Sequence, residues 1–386
     1  VAEKLIIHAG FFKTGTTNLQ SSLHASRETL LENNILYPVI TSGSGGRITG
    51  QHRAAWALKG RVWGWENSGG TTIPIKVWKK LAKNVNQYSG TAVLSSEFLS
   101  ELTDEEVSVM KADLEFKDAR IVFTIRPLVK MLPSQYQQSL KYGMRLSYEE
   151  WLQRVLQGSA EFVQWRTFWL RHDHPAVIKR WVDNFGAENI SLIVADENHP
   201  EFIYDSFNDL LQLPAHTLKK IESSALNRSM SWEEINLLLA LNKKYNKDLG
   251  WQNYSIMVRD GYIKQLTDSP LTRDHERLLT PEWAIDLAKE ITLRNIELLN
   301  GMGIEIKGDL ESLATATIPS GTNVVQDKID LDFAAEVMLS HTQSNLIKYF
   351  GFKELSEEFF RRLDNSADSR IRIVLVKILK KYLKSR

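Results

Sequence analysis

The stretch Lys4–Leu23, KLIIHAGFFKTGTTNLQSSL, reads as a buried strand, a tight loop and the opening turns of a helix. Leu5, Ile6 and Ile7 form the short, unbroken apolar run of a strand covered on both faces. Gly10 and Gly15 bracket the loop. Thr16, Thr17 and Asn18 suit a helix start, and Leu19 and Leu23 recur at helical spacing. A strand feeding a helix through such a loop aims several backbone N–H groups, and the positive end of the helix dipole, at one spot. Lys13 adds a full positive charge there. The stretch therefore predicts an anion site, and a phosphate is the fitting ligand.

The loop differs from the nucleoside triphosphate loop, which places Gly-Lys before a Ser or Thr that serves magnesium. Here the order is Lys13-Thr14-Gly15-Thr16-Thr17, with the lysine ahead of its glycine. The spaced glycines of a dinucleotide fingerprint are missing too. Taken alone, KTGTT could equally be a plain strand-to-helix turn, so a second motif has to decide.

Composition narrows the class. The chain has 386 residues, 43% of them hydrophobic, enough for one large core or two smaller ones. With 48 basic against 47 acidic side chains, nothing calls for nucleic acid as a bulk polyanionic partner. Cysteine is absent, which excludes disulfides, thiolate metal sites and a cysteine nucleophile, and favours a reducing, cytoplasmic compartment. No apolar run approaches a membrane span and no signal peptide is visible. A start at Val1 rather than Met is compatible with a trimmed upstream segment.

Working outward, the first helix is expected to run to about Asn33, and Ile35–Val39 reads as a second strand. Between Thr41 and Thr72 lies a glycine- and serine-rich connection carrying Trp56, Trp63 and Trp65, with His52 near its start. A connection so long and aromatic is more often functional than idle. Thr91–Ser95, Ala119–Ile125 and Asn189–Val194 read as further strands, and Leu128–Lys141, Tyr148–Leu152 and Val177–Phe185 as helices, with Pro133 a kink or late start. Strands alternating with helices imply a parallel sheet covered on both faces, whose ligands sit at the strands' carboxyl ends. The opening loop, Glu97 and Arg126 all follow strand ends and can converge.

From Phe202 to about Asn300 the pattern is mainly helical. Thr280-Pro281-Glu282 starts a helix whose core positions are Trp283, Leu287, Ile291 and Leu298. Gly301 and Gly303 close an α/β domain at residues 1–300, and 301–386 read as a mainly helical C-terminal extension. Its last segment, Arg370–Arg386, carries seven basic side chains and no acidic one. It reads either as a terminal helix docked on its own domain or as a basic amphipathic helix for a membrane surface or an anionic partner.

The second motif is Arg126 with Ser134, a planar fork for phosphate and a hydroxyl donor eight residues apart at a strand end and in the next helix. With Lys13–Thr17 it makes the chain resemble the sulfotransferases that use 3′-phosphoadenosine-5′-phosphosulfate (PAPS). Their 5′-phosphosulfate loop has a Lys-x-Gly-Thr-Thr core after the first strand, and their 3′-phosphate motif is an arginine followed eight residues on by serine. RPLVKMLPSQYQQSLKYG (126–143), KRWVDNFGAENI (179–190) and NRSMS (227–231) also look like the bacterial, carbohydrate-type members. The resemblance covers roughly residues 1–300.

That resemblance implies a P-loop-like parallel sheet flanked by helices, PAPS as co-substrate with the bisphosphate PAP as product, and no metal. Lys13 would neutralise the leaving phosphate oxygen. Thr14, Gly15, Thr16, Thr17 and Asn18 would hold the 5′-phosphate, and Arg126, Ser134 and Arg228 the 3′-phosphate. The acceptor, a small molecule or glycan with a hydroxyl or amine, needs a base. Relatives use a histidine after the third strand or a glutamate after the second; here Glu97 follows the third strand, and His52 is the other candidate. Trp56, Trp63 and Trp65 could clamp a sugar or phenol ring, or form a small core beneath the loop. His8 reads as a core histidine, and His172 and His174 as surface loop residues. A nucleotide kinase or hydrolase and a non-catalytic protein on the same fold are the alternatives.

Overall fold

A computed structural model describes residues 1–40, 49–221, 228–268 and 276–324. They fall into two units. The first holds the described residues up to Trp251 and those from 276 to 324; the second holds 252–268.

In the first unit, β1 (Ala2–His8) leads through the loop into α1 (Thr16–Ala25) and α2 (Arg27–Glu32). β2 (Ile35–Leu36), α3 (Thr49–Lys59), a hairpin of β3 (Val62–Trp63) and β4 (Thr71–Thr72), and α4 (Lys76–Asn86) follow. Next come β5 (Thr91–Ser95), α5 (Asp104–Asp113), β6 (Phe116–Ile125), α6 (Leu128–Leu140), α7 (Tyr148–Leu152), α8 (Val163–His172) and α9 (His174–Phe185). β7 (Ile190–Val194), α10 (Phe202–Leu210), α11 (Trp232–Lys244), the long helix Glu282–Asn300 and β8 (Glu305–Lys307) complete it.

Six strands form one parallel sheet in the order β2-β5-β1-β6-β7-β8. The period-two alternation of strand side chains divides the core between its faces. Leu5, Ile7, Leu94, Ile121, Phe123 and Leu192 pack on one face with α4, α5, α9 and the long helix. Ile6, Val93, Val122 and Ile193 pack on the other with Leu19, Leu23, Leu30 and Phe207 from α1, α2 and α10. The expected α/β class is the one observed. Because every strand runs the same way, the loops after β1, β5, β6 and β7 all open at one edge.

Several expectations change. The first helix breaks at Ser26 instead of running to Asn33, and β2 stops at Leu36 because Pro38, close behind, has no N–H for the ladder. The stretch read as one long connection contains α3, whose Ala54, Ala55, Ala57 and Leu58 are buried, so His52 and Trp56 are helical. Pro133 lies inside α6, which begins at Leu128. On the long helix, Ala284, Ala288, Ile291, Ile296 and Leu299 are buried while Leu298 is 51% exposed. His172 and His174 are buried instead of lying on a surface loop: His172 packs on Phe168 and His174 on Phe11. The sheet also continues past residue 300, since β8 pairs with β7, and the boundary expected there falls inside the first unit.

The second unit's described part is helical from Gln252 to Asp268, with a wider π-type stretch at Ser255–Ile263. Residues 325–386, with the basic tail at 370–386, lie outside the described residues. Among the described residues no helix is long and apolar enough to cross a membrane.

Candidate active site

The loop after β1 is stitched to the end of β6. Phe11 N donates to Thr124 O at 2.8 Å and Thr124 N to Gly10 O at 2.5 Å. Thr14 Oγ1 donates to Phe11 O at 2.7 Å and lies 2.6 Å from Thr124 Oγ1. Beneath it, His8 is fully buried between Ser95 Oγ (2.9 Å) and Thr124 Oγ1 (3.3 Å), and burial pushes its pKa down to about 3. The Thr14 hydroxyl thus serves the interior of the loop and does not face solvent. Thr16 is buried as well, while Lys13, Gly15, Thr17 and Asn18 are exposed.

Gly15 caps α1 in the left-handed region (φ 89°) and brings no side chain to the N–H groups of the helix's first turn, of which Asn18 N donates to Gly15 O at 3.0 Å. Lys13 also has positive φ (62°). Its ammonium donates to Gln138 Oε1 of α6 at 3.1 Å. Although Lys13 reaches solvent, protein surrounds the ammonium on most sides. That desolvation lowers its pKa; Glu97 pulls the other way, and Arg171 adds to the lowering.

Arg126 leaves the end of β6 and straps this loop, donating from Nη1 to Lys13 O at 3.0 Å. Its Nη2 donates to Glu197, and Lys130 Nζ donates to the other oxygen of the same carboxylate. These hydrogen bonds, that from Lys130 foremost, hold the Glu197 carboxyl below the usual range. Ser134 is half-buried on α6, between Lys130 and Gln138 in a row of four-residue spacing. Arg228 has another partner: its guanidinium makes a two-pronged pair with Glu234 at 2.7 and 2.8 Å, at the N-terminus of α11. Asn227 of the NRSMS segment lies outside the described residues.

Glu97 sits directly across from the loop. A Cβ on Gly10, whose φ is 110°, would lie 3.2 Å from the Glu97 Cα, so only glycine lets the two backbones approach this closely. Glu97 is partly buried (side chain 16% exposed), accepts from Gln20 Nε2 at 3.3 Å and has His52 Nδ1 3.6 Å away. His52 Nδ1 is 2.8 Å from Ser96 Oγ.

An aromatic wall adjoins the carboxylate. Phe98 makes edge contacts with Phe12, His52, Trp56 and Trp63 at centroid distances of 5.0–5.7 Å. Behind it, buried Glu101 pairs with Lys59 and, at 2.7 Å, with Arg171; Lys59 Nζ stands 3.9 Å over the Trp56 ring. Burial lowers the Lys59 pKa to about 8. Trp65 belongs elsewhere, donating to Tyr142 O and packing on Tyr245 and Trp251. The three tryptophans therefore divide, with Trp56 and Trp63 packed on Phe98, the residue that follows Glu97.

Sequence reading missed Gln20, Lys130, Gln138 and Glu197. Lys130 and Gln138 were findable, one turn either side of Ser134 on the same helix row. Glu197 was not, because it stands in irregular chain after β7. Among the described residues no cluster of three or more His, Asp or Glu side chains is placed to hold a metal.

This is a doubly covered parallel α/β protein whose first loop carries an exposed lysine and lies against the backbone of Glu97. No protein-family model and no curated protein matches the chain. Among solved structures it is similar to a sulfotransferase from Alicyclobacillus acidocaldarius, with 18% identity and a TM-score of 0.37 over 63% of this chain and 93% of that one. It is also similar to the sulfotransferase domain of the Synechococcus PCC 7002 olefin synthase, with 13% identity and a TM-score of 0.29 over 75% of this chain and 94% of that one. Likeness at this level carries no activity across.

Proposed function

We propose that this chain is a sulfotransferase that moves the sulfuryl group of PAPS to a hydroxyl or amine of a carbohydrate or another small acceptor. The observation that carries the reading is the junction of the two phosphate motifs, where Arg126 Nη1 donates to the Lys13 carbonyl at 3.0 Å. Two anion sites at one sheet edge suit a donor with two separated phosphate groups. The open first turn of α1 and Lys13 suit the 5′-phosphosulfate, and Arg126 with Ser134 suits the 3′-phosphate.

In this reading the acceptor's oxygen or nitrogen bonds to sulfur as the bond from sulfur to the 5′-phosphate oxygen breaks. The acceptor's proton passes to Glu97, with His52 beside it as the alternative base. The electron pair of the broken bond stays on the bisphosphate, where Lys13 meets its charge. Positioned cationic and backbone donors can supply such stabilisation without a metal. Phe12, Trp56, Trp63 and Phe98 offer ring faces and edges to an acceptor beside Glu97.

The test is a thermal-shift titration with 3′,5′-adenosine bisphosphate in EDTA, set against ATP with magnesium, followed by an assay for sulfated product from PAPS over an acceptor panel. At a hundred times its dissociation constant the bisphosphate should stabilise by about 2.7 kcal/mol. Magnesium-dependent ATP binding without bisphosphate binding supports the kinase reading instead. Bisphosphate binding that Glu97→Gln and Lys13→Ala leave functionally silent supports a non-catalytic protein.

A further inference from the structure

Within α6, Lys130, Ser134 and Gln138 form a row one turn apart, and both ends of the row touch the candidate site. Gln138 accepts from Lys13. Lys130 and Arg126 each donate to a separate oxygen of the Glu197 carboxylate. Two cations from different elements, the end of β6 and the first turn of α6, thus converge on a single anionic group. That group is itself 49% exposed on the chain following β7, while Lys130 is 23% and Arg126 30% exposed. The cations are therefore the better-sheltered half of the cluster, and their anion is the part that can leave. Each half of a clamp so exposed has little to lose in stability when the pairing changes. A phosphate presents oxygens to such a clamp much as a carboxylate does, with more charge.

We propose that Lys130 and Arg126 together form a two-cation clamp for the 3′-phosphate of the nucleotide, and that Glu197 is the resident group this phosphate displaces. The proposal rests on the donor reading above and adds a binding residue, Lys130, and a built-in competitor, Glu197. Because the competitor acts only on the 3′-phosphate, it sets the margin by which the site prefers a 3′-phosphorylated nucleotide over its simple 5′ counterpart.

The experiment is calorimetric titration of wild type, Lys130→Met and Glu197→Gln with 3′,5′-adenosine bisphosphate and with 5′-AMP, without magnesium. Glu197→Gln should bind the bisphosphate about tenfold more tightly, and Lys130→Met about tenfold less tightly, which is the scale of one charge-assisted hydrogen bond. Neither should shift 5′-AMP, which lacks the group concerned. If wild type prefers the bisphosphate but both variants bind it as wild type does, the clamp is wrong and the donor reading stands. Equal shifts for both nucleotides also overturn the clamp. Bisphosphate binding to none of the three proteins overturns the donor reading and the clamp with it.

Discussion

His52 and Glu97 stand side by side, with Nδ1 of the imidazole 3.6 Å from Oε2 of the carboxylate and 2.8 Å from the Ser96 hydroxyl. One comes from α3 and the other from the segment after β5, so the pairing is a product of the fold. Glu97→Gln keeps the shape of the carboxylate and removes its basicity. It should lower kcat by about 10²–10⁴-fold while leaving bisphosphate affinity unchanged. His52→Ala should cost less. The reverse order in steady-state kinetics would make the imidazole the base.

Lys13→Met is expected to reduce kcat by about 10²–10³-fold, the scale for removing one donor aimed at developing charge. Folding should be spared, because the residue is exposed and the side chain's hydrogen-bond partner among the described residues is Gln138. Gln138→Leu should bring a partial loss in kcat that Gln138→Glu, which still accepts from the ammonium, largely restores. Equal kcat in Lys13→Met and wild type would remove the lysine from the reaction.

Glu101 is the counter-ion on which the aromatic wall rests. Its side chain is 2% exposed, between Lys59, which is fully buried, and Arg171. Glu101→Ala leaves two cations without their carboxylate and should destabilise by about 3–5 kcal/mol in urea unfolding. A change below about 1 kcal/mol would mean that water reaches the cluster after the substitution.

Acid should unfold this protein early. His8, His172 and His174 are buried, and desolvation takes the first and third down to about 3 and His172 well below the ordinary histidine value of about 6.5. Above pH 6.5 these rings are neutral in both folded and unfolded chains. Below it the unfolded chain binds protons that the folded one refuses, so stability falls as the pH drops from 6.5 toward 3. Each ring contributes up to about 1.4 kcal/mol per pH unit. Among the described residues, neither buried His172 nitrogen has a hydrogen-bond partner. His172→Phe should therefore flatten the slope of melting temperature between pH 6.5 and 4 and keep or raise stability at pH 7.5. An unchanged slope would contradict the assignment.

The sheet was legible because its strands are continuous apolar runs bounded by glycine, proline or asparagine, and both faces of such a strand must be covered. β8 was not: Glu305-Ile306-Lys307 has no such run, and it pairs only at the sheet's edge. α3 was hidden by the glycines before it, although its alanines supply a buried stripe. That the loop after β1, Glu97 and Arg126 meet at one sheet edge was legible from their places just past strand ends. What lay beyond sequence was partnership. Arg228 is engaged by Glu234, Thr14 turns inward to Phe11, and Glu197 reaches back to β6 and α6. The Glu197 contacts bridge 71 and 67 residues of chain, which no local pattern encodes; the Arg228 and Thr14 pairings span six and three residues, and residue type alone did not single them out.

Gly10 and Glu97 meet main chain to main chain. In the proposed reaction, the spacing of the donor loop from the backbone of the base is thus set by the main chain. On that proposal, changes in Trp56, Trp63 or Phe98 would alter which acceptors are admitted without moving these two backbones apart. A methyl group at position 10 would press on the Glu97 backbone and, on the same proposal, slow transfer to every acceptor alike, so breadth of substrate and speed of transfer would be free to evolve separately.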